Sequence, residues 1–216
     1  MPQTSSFCRP VLILAALMIG GGIALRGVPS AAGSAHAISP PAHDEPENPA
    51  ATSEVAVLAG GSADTAHYEM VGTNTTGHAE SVQVTFDPRR ISYGRILQIY
   101  FSVAHDPTEL NRQGPDVGRQ YRSAIFPTNP QQARIADDYI AQLNGEHVFD
   151  VPIATKIESG RGFYPAENYH QDFLARNSQY PYIVINGSPK VENLKRLFPE
   201  LYRAAPVLVA NATPRS

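Results

Sequence analysis

The chain has 216 residues, 17 Lys and Arg against 20 Asp and Glu, a formal net charge of −3, a single Cys and no Trp. That length suits one globular domain with a leader, large enough to bury a real core. The near-neutral balance, with no run of like charges, speaks against nucleic acid and other polyelectrolyte partners.

Arg9 precedes an apolar stretch from Val11 to Leu25, and small residues follow it down to Ala35-His36-Ala37, an A-x-A pattern. This reads as a secretory signal over residues 1–37, cleaved after Ala37, which places the folded part outside the cytoplasm, periplasmic or extracellular. The alternative is an uncleaved N-terminal anchor, the one membrane contact expected, although about fifteen apolar residues are few for a spanning helix of about 20. Cleavage removes Cys8, the only thiol, and so excludes disulfides, Cys-ligated metals and cysteine nucleophiles together.

Residues 38–53, rich in Pro, Ala, Asp and Glu and without apolar periodicity, read as a disordered linker. Glu54 to Ala59 predicts a strand stopped by Gly60-Gly61, and a Thr- and Gly-rich loop from Ser62 to Gly77 follows. Alternating apolar residues from Ser81 to Phe86 predict a half-buried strand, ended by Asp87-Pro88. Ser92 is placed to cap a helix whose buried face is Ile96, Leu97, Tyr100, Phe101 and Val103. A polar stretch from His105 to Gln120 leads to a strand over Tyr121–Phe126. Asn129-Pro130 then opens a helix buried at Ile135, Tyr139, Ile140 and Leu143. Further expectations are a strand at Ile153–Ile157, a short helix over Pro165–Leu174, an extended run at Tyr182–Ile185 and a final helix from Ser188-Pro189 through Phe198. Residues 203–216 read as a loose tail. Strands and helices mixed without strict alternation make this an α+β domain, with a two-layer mixed sheet and flanking helices.

Taken singly, the polar residues are unremarkable in kind. Glu80 is an edge carboxylate, Asp116 a turn residue, and Tyr68 and Tyr121 amphipathic residues at the margin of a core. Glu167 and His170 stand one helical turn apart, yet a lone pair without an H-E-x-x-H signature reads as structural. No metal site is expected.

Together and in order the motifs carry more. Thr76-Gly77-His78-Ala79-Glu80, Phe86-Asp87-Pro88, His105-Asp106-Pro107, Asn111-Arg112-Gln113-Gly114, Gln120-Tyr121-Arg122-Ser123-Ala124-Ile125 and Phe163-Tyr164-Pro165-Ala166-Glu167 resemble the A-type peptide methionine sulfoxide reductases. The resemblance spans residues 54–202. It implies reduction of the S-epimer of methionine sulfoxide, free or in proteins, by a cysteine thiolate that becomes a sulfenic acid. A thioredoxin-like thiol restores it, and no prosthetic cofactor is needed. By the same resemblance Glu80 is the acid that protonates the sulfoxide oxygen, Tyr68, Tyr121 and Asp116 bind the substrate, and Gln120 and Arg122 support them.

The family's Gly-Cys-Phe-Trp-Gly motif directly follows the first strand. Here Gly60-Gly61 is followed by Ser62, and the cysteine, the aromatic wall, the first helix and the second strand are all absent. The chain is therefore expected to be a family member without the family's activity. The alternatives are a non-catalytic module that binds methionine sulfoxide, or a non-functional deletion product. Loss of a strand and a helix is expected to leave the Val82, Val84 and Phe86 face and part of the Ile96–Phe101 helix exposed.

Overall fold

Two caps written into the sequence start the two main helices. Ser92 Oγ accepts a hydrogen bond from the Arg95 N–H at 3.2 Å and opens α1 (Tyr93–Ile99), which runs on as a π-helical turn through Tyr100–Ala104. Asn129 Oδ1 accepts from the Gln132 N–H at 2.8 Å and opens α2 (Pro130–Gly145), with Pro130 at the position where a missing N–H costs nothing. This computed structural model describes residues 35–45, 53–59, 79–160 and 162–209. Tyr68, Ser62 and Cys8 lie outside the described residues.

The remaining elements are β1 (Glu54–Leu58), β2 (Val82–Phe86), β3 (Arg112–Gln113), β4 (Asp116–Val117), β5 (Ala124–Phe126), β6 (Lys156–Ile157), α3 (Phe173–Arg176) and α4 (Ser188–Leu197). Four strands form a mixed sheet in the order β2-β1-β5-β6. β1 is antiparallel to both neighbours, and β5 is parallel to β6. β3 and β4 make a separate hairpin.

The period-two alternation sorts the strands into two faces. Ala56, Leu58, Val84, Phe86 and Ile125 point to the main core, where they meet Ile96, Leu97 and Phe101 of the first helical stretch and Ile135, Tyr139 and Leu143 of α2. Val57, Ala124 and Phe126 form a smaller cluster on the opposite face, under Phe163. α4 packs Leu194 and Phe198 against Ile99 and Val103. The α+β class and the sheet with flanking helices are as expected.

Several boundaries differ from the sequence expectation. The strand expected over Tyr121–Phe126 begins only at Ala124, because Arg119–Tyr121 form a 3₁₀ turn. The expected strand at Ile153–Ile157 shrinks to two residues, and the helix expected over Pro165–Leu174 to Phe173–Arg176. Tyr182–Ile185 is not extended: Ile183–Gly187 is a π-helical turn leading into α4. The tail through Val209 is irregular but held, its Val209 N–H donating to Asp172 Oδ1 at 2.8 Å.

The largest correction concerns the linker. Residues 35–45 lie against α1, α2 and α4, and Ile38 is only 5% exposed, inside the main core. Gln98 donates to the Ile38 carbonyl at 2.5 Å and Tyr139 Oη to that of Ser39 at 2.6 Å. Gln142 bonds both the Pro40 carbonyl and the Ala42 N–H, and Arg196 donates to the Ala35 carbonyl. At the start of α1, Asp44 accepts from the Gly94 N–H and Glu45 from the Tyr93 N–H, at 2.9 and 3.0 Å. Two carboxylates thus satisfy donors that a helix leaves unpaired at its positive end. Gly94 has no room for a Cβ beneath Pro41 and Asp44. The exposure expected of the Val84–Phe86 face is absent, since Val84 is 0% and Phe86 2% exposed.

Candidate functional site

The β3–β4 hairpin is built to carry Asp116. Gln113 bonds the Asp106 backbone in both directions, at 2.9 and 3.1 Å, and Glu109 accepts from the Gly114 N–H at 2.7 Å. Gly114 turns the chain at φ 57°. Gly118 follows at φ 146°, against the Gln120 side chain, where a Cβ would collide. The chain then doubles back: Tyr121 N–H donates to the Gly118 carbonyl, and the Gln120 carbonyl accepts from Glu80 N–H at 2.8 Å. Two segments distant in sequence, Glu80 and the stretch from Asp106 to Tyr121, meet here.

They face a cavity of about 400 Å³ that Glu80, Asp116 and Tyr121 all line. The Tyr182 hydroxyl donates to Asp116 Oδ2. Burial raises the Asp116 pKa above the usual carboxylate value, with the Tyr182 bond and the Lys190 ammonium opposing the shift. The Tyr121 phenol is pushed up by burial and then by the negative charges of Glu80 and Asp116. Tyr182 is raised by burial, then by its hydrogen bond to Asp116 and the negative charges of Asp116 and Glu80. Both phenols therefore stay protonated as hydrogen-bond donors, and Asp116 keeps its proton to a higher pH than a solvated aspartate does. Such a cluster suits an uncharged acceptor with a strongly polar oxygen.

Of the residues singled out from sequence, Glu80, Asp116 and Tyr121 share this cavity; Tyr68 lies outside the described residues. Arg122 also lines it, but its guanidinium is bidentate to Glu158 at 3.0 and 3.2 Å. Gln120 is buried beneath it. Tyr182, which holds Asp116 from outside the cavity lining, was not singled out from sequence. Its only local context is a β-branched run, which points to a strand.

The cavity wall also holds His105 and Ser123. His105 Nε2 lies 2.7 Å from Ser123 Oγ and Nδ1 3.2 Å from the Tyr100 carbonyl, so Nδ1 carries the proton and Nε2 accepts from the hydroxyl. Ser123 Oγ also lies 2.6 Å from Thr155 Oγ1. No carboxylate backs the imidazole among these bonds, and the serine is buried, so the network braces β5 instead of activating a nucleophile. Burial pushes the His105 pKa from 6.5 down to about 3, with Lys190 adding to the shift and the Tyr100 carbonyl and Asp106 opposing it.

The sign of its effect on stability follows from linkage. Below pH 6.5 the unfolded chain binds a proton at this histidine that the folded chain refuses. Stability present above pH 6.5 should fall as pH drops towards 3, by up to about 1.4 kcal/mol per pH unit. Denaturant melts at pH 7.5 and 5 read the loss. Nuclear magnetic resonance should find the folded His105 ring unprotonated at pH 5; a ring titrating near its solvated value refutes the assignment.

Glu167 and His170 stand 3.8 Å apart, and no group of three or more His, Cys, Asp or Glu suited to a metal ion occurs among the described residues.

A family model described as peptide methionine sulfoxide reductase matches residues 49–201. The peptide methionine sulfoxide reductase MsrA 2 of Mesorhizobium japonicum is 60% identical over 154 residues, covering 71% of this chain and 79% of its own. MsrA 2 of Synechocystis is 48% identical over 145 residues, covering 67% and 68%. The solved structure of methionine sulfoxide reductase A of Corynebacterium diphtheriae superposes with a TM-score of 0.47 at 32% identity, covering 59% of this chain and 65% of that one.

Proposed function

Because the chain belongs to the peptide methionine sulfoxide reductase family, we propose that it binds methionine sulfoxide in the Glu80–Asp116–Tyr121 cavity without reducing it. The family acts on methionine sulfoxide through a thiol, with thioredoxin-like reductants and no prosthetic cofactor. One observation carries the reading. The acids and phenols able to hold a sulfoxide oxygen converge, while the only cysteine in the sequence is Cys8.

Reduction of a sulfoxide takes two electrons and two protons and releases water. Glu80, Asp116 and Tyr121 can supply hydrogen bonds and protons, but none can supply the electron pair. In the family a thiolate does so by attacking sulfur. Ser62, which follows Gly61 where the family's motif would begin, has a hydroxyl that is a poor nucleophile towards sulfur and has no counterpart to the sulfenic acid. What remains is recognition. The reading places this site outside the cytoplasm, on the strength of the apolar run Val11–Leu25 and the A-x-A pattern that follows it.

Calorimetric titration of the full chain with methionine S-sulfoxide tests the binding. Heat is expected from the sulfoxide and none from methionine, whose sulfur offers no polar oxygen. Tyr121→Phe and Glu80→Gln should each weaken binding about tenfold, the worth of one hydrogen bond to a strongly polar group. Equal heats from methionine and its sulfoxide exclude the proposed site.

A further inference from the structure

The peptide bond that follows Ala35-His36-Ala37 is gripped by the fold on both sides. Ahead of it, the Ala35 carbonyl accepts from the Arg196 guanidinium at 2.5 Å, and the Ala35 side chain packs against the cluster of Ile99, Val103, Leu194 and Phe198. Beyond it, the Ile38 carbonyl accepts from Gln98 Nε2 at 2.5 Å, and the Ile38 side chain is buried in the main core. The His36 ring lies 6.2 Å from that of Phe149. Ala37 itself is exposed, but it is a short span between two fixed points.

A peptidase that reads an A-x-A pattern must take the chain as an extended strand, with both alanines in pockets sized for small side chains. Here Ala35 already occupies a place against α1 and α4, and the carbonyls of Ala35 and Ile38 are both in use. Lifting the strand into a peptidase forfeits two hydrogen bonds and the burial of an isoleucine. The product of the cut, by contrast, suits the fold. Water adds across the Ala37–Ile38 amide, leaving a carboxylate on Ala37 and an α-ammonium on Ile38. The shortened chain keeps the buried Ile38 side chain and the hydrogen bonds made by Ser39, Pro40, Asp44 and Glu45. It gives up only the contacts of Ala35 and His36.

We propose that Ala37–Ile38 is a processing site that the fold itself closes: the leader is cut from a chain whose residues 35–45 are undocked, and a chain that docks them first keeps its leader. This rests on the reading of residues 1–37 as an export leader and adds to it the state in which the leader is removable.

Signal peptidase in detergent micelles is given the full chain, either native or held unfolded in urea that the peptidase withstands. Each rate is scaled to that of an unstructured reference substrate, and mass spectrometry reads the product. The unfolded chain should yield a product beginning at Ile38. The native chain should yield it at least about tenfold more slowly, because cleavage then waits on local opening. Gly94→Leu places a side chain against Pro41 and Asp44 and should push the segment off α1. With its helical circular dichroism intact, that variant should be cut faster than the unaltered native chain. Equal scaled rates for native and unfolded chain overturn the proposal even if the variant does not fold. A folded Gly94→Leu chain cut no faster than the unaltered one overturns it as well. If the unfolded chain gives no product beginning at Ile38, it is the leader reading beneath the proposal that falls.

Discussion

Incubated with dithiothreitol and a methionine sulfoxide ester, the full chain should leave the sulfoxide unreduced at the rate of buffer alone. Enzymes typically accelerate their reactions at least about 10⁶-fold, so even crippled turnover through a thiol stands far above such a background. The sequence between Glu54 and Ser216 contains no thiol, and Cys8 lies ahead of the apolar run. Cys8→Ser should therefore change nothing. A rate above background that disappears in Glu80→Gln contradicts the expectation, because it shows that electrons reach this site by another route.

The second large effect is on stability. Ile38→Ala should destabilise the domain by about 2–5 kcal/mol, the usual loss for truncating a buried aliphatic side chain. At roughly 2–4 °C per kcal/mol for a domain of this size, the melting temperature should fall by about 5–20 °C. Leu110→Ala, at a side chain 62% exposed, is the control and should leave the melt in place. The comparison decides whether residues 35–45 belong to the domain. If Ile38→Ala melts like the unaltered chain, the segment contributes nothing to the core.

The parts of the fold that were legible from sequence rest on local chemistry. Ser92 and Asn129 cap their helices because a short side-chain oxygen at that position needs only the next three residues to act. Ile96, Leu97, Phe101, Ile135, Tyr139 and Leu143 are buried because helical periodicity writes the inner face directly into the chain. Tyr182–Ile185 was misread because Ile183-Val184-Ile185 has the composition of a strand. In the fold Ile183 alone is buried while Ile185 is 57% exposed, and docking next to α4 overrides local preference. Ile38 offered no signal either, since a single apolar residue among prolines has no period.

In the site, Glu80, Asp116 and Tyr121 were nameable only because ordered motifs resemble a family. Tyr182 and Lys190 belong to a cluster closed by tertiary contacts across tens of residues, which no local pattern encodes. The exposed face expected from the missing strand and helix failed for a related reason. The segment that packs beside that core comes from what reads as a linker.

The docking of residues 35–45 also sets the order in which this protein can assemble. Its hydrogen bonds reach 60 residues to Gln98 and 100 to Tyr139. Closing loops that long adds little equilibrium cost, about 0.6 kcal/mol per doubling, but contacts so remote form slowly. The segment has nothing to lie on until α1, α2 and α4 are in place, and all three follow it in the chain. The part of the domain made first is therefore the last to settle. Until it does, the α1–α2 surface that receives Ile38 stands open to water and to other chains, and the speed of that closing step governs how much newly made protein escapes aggregation.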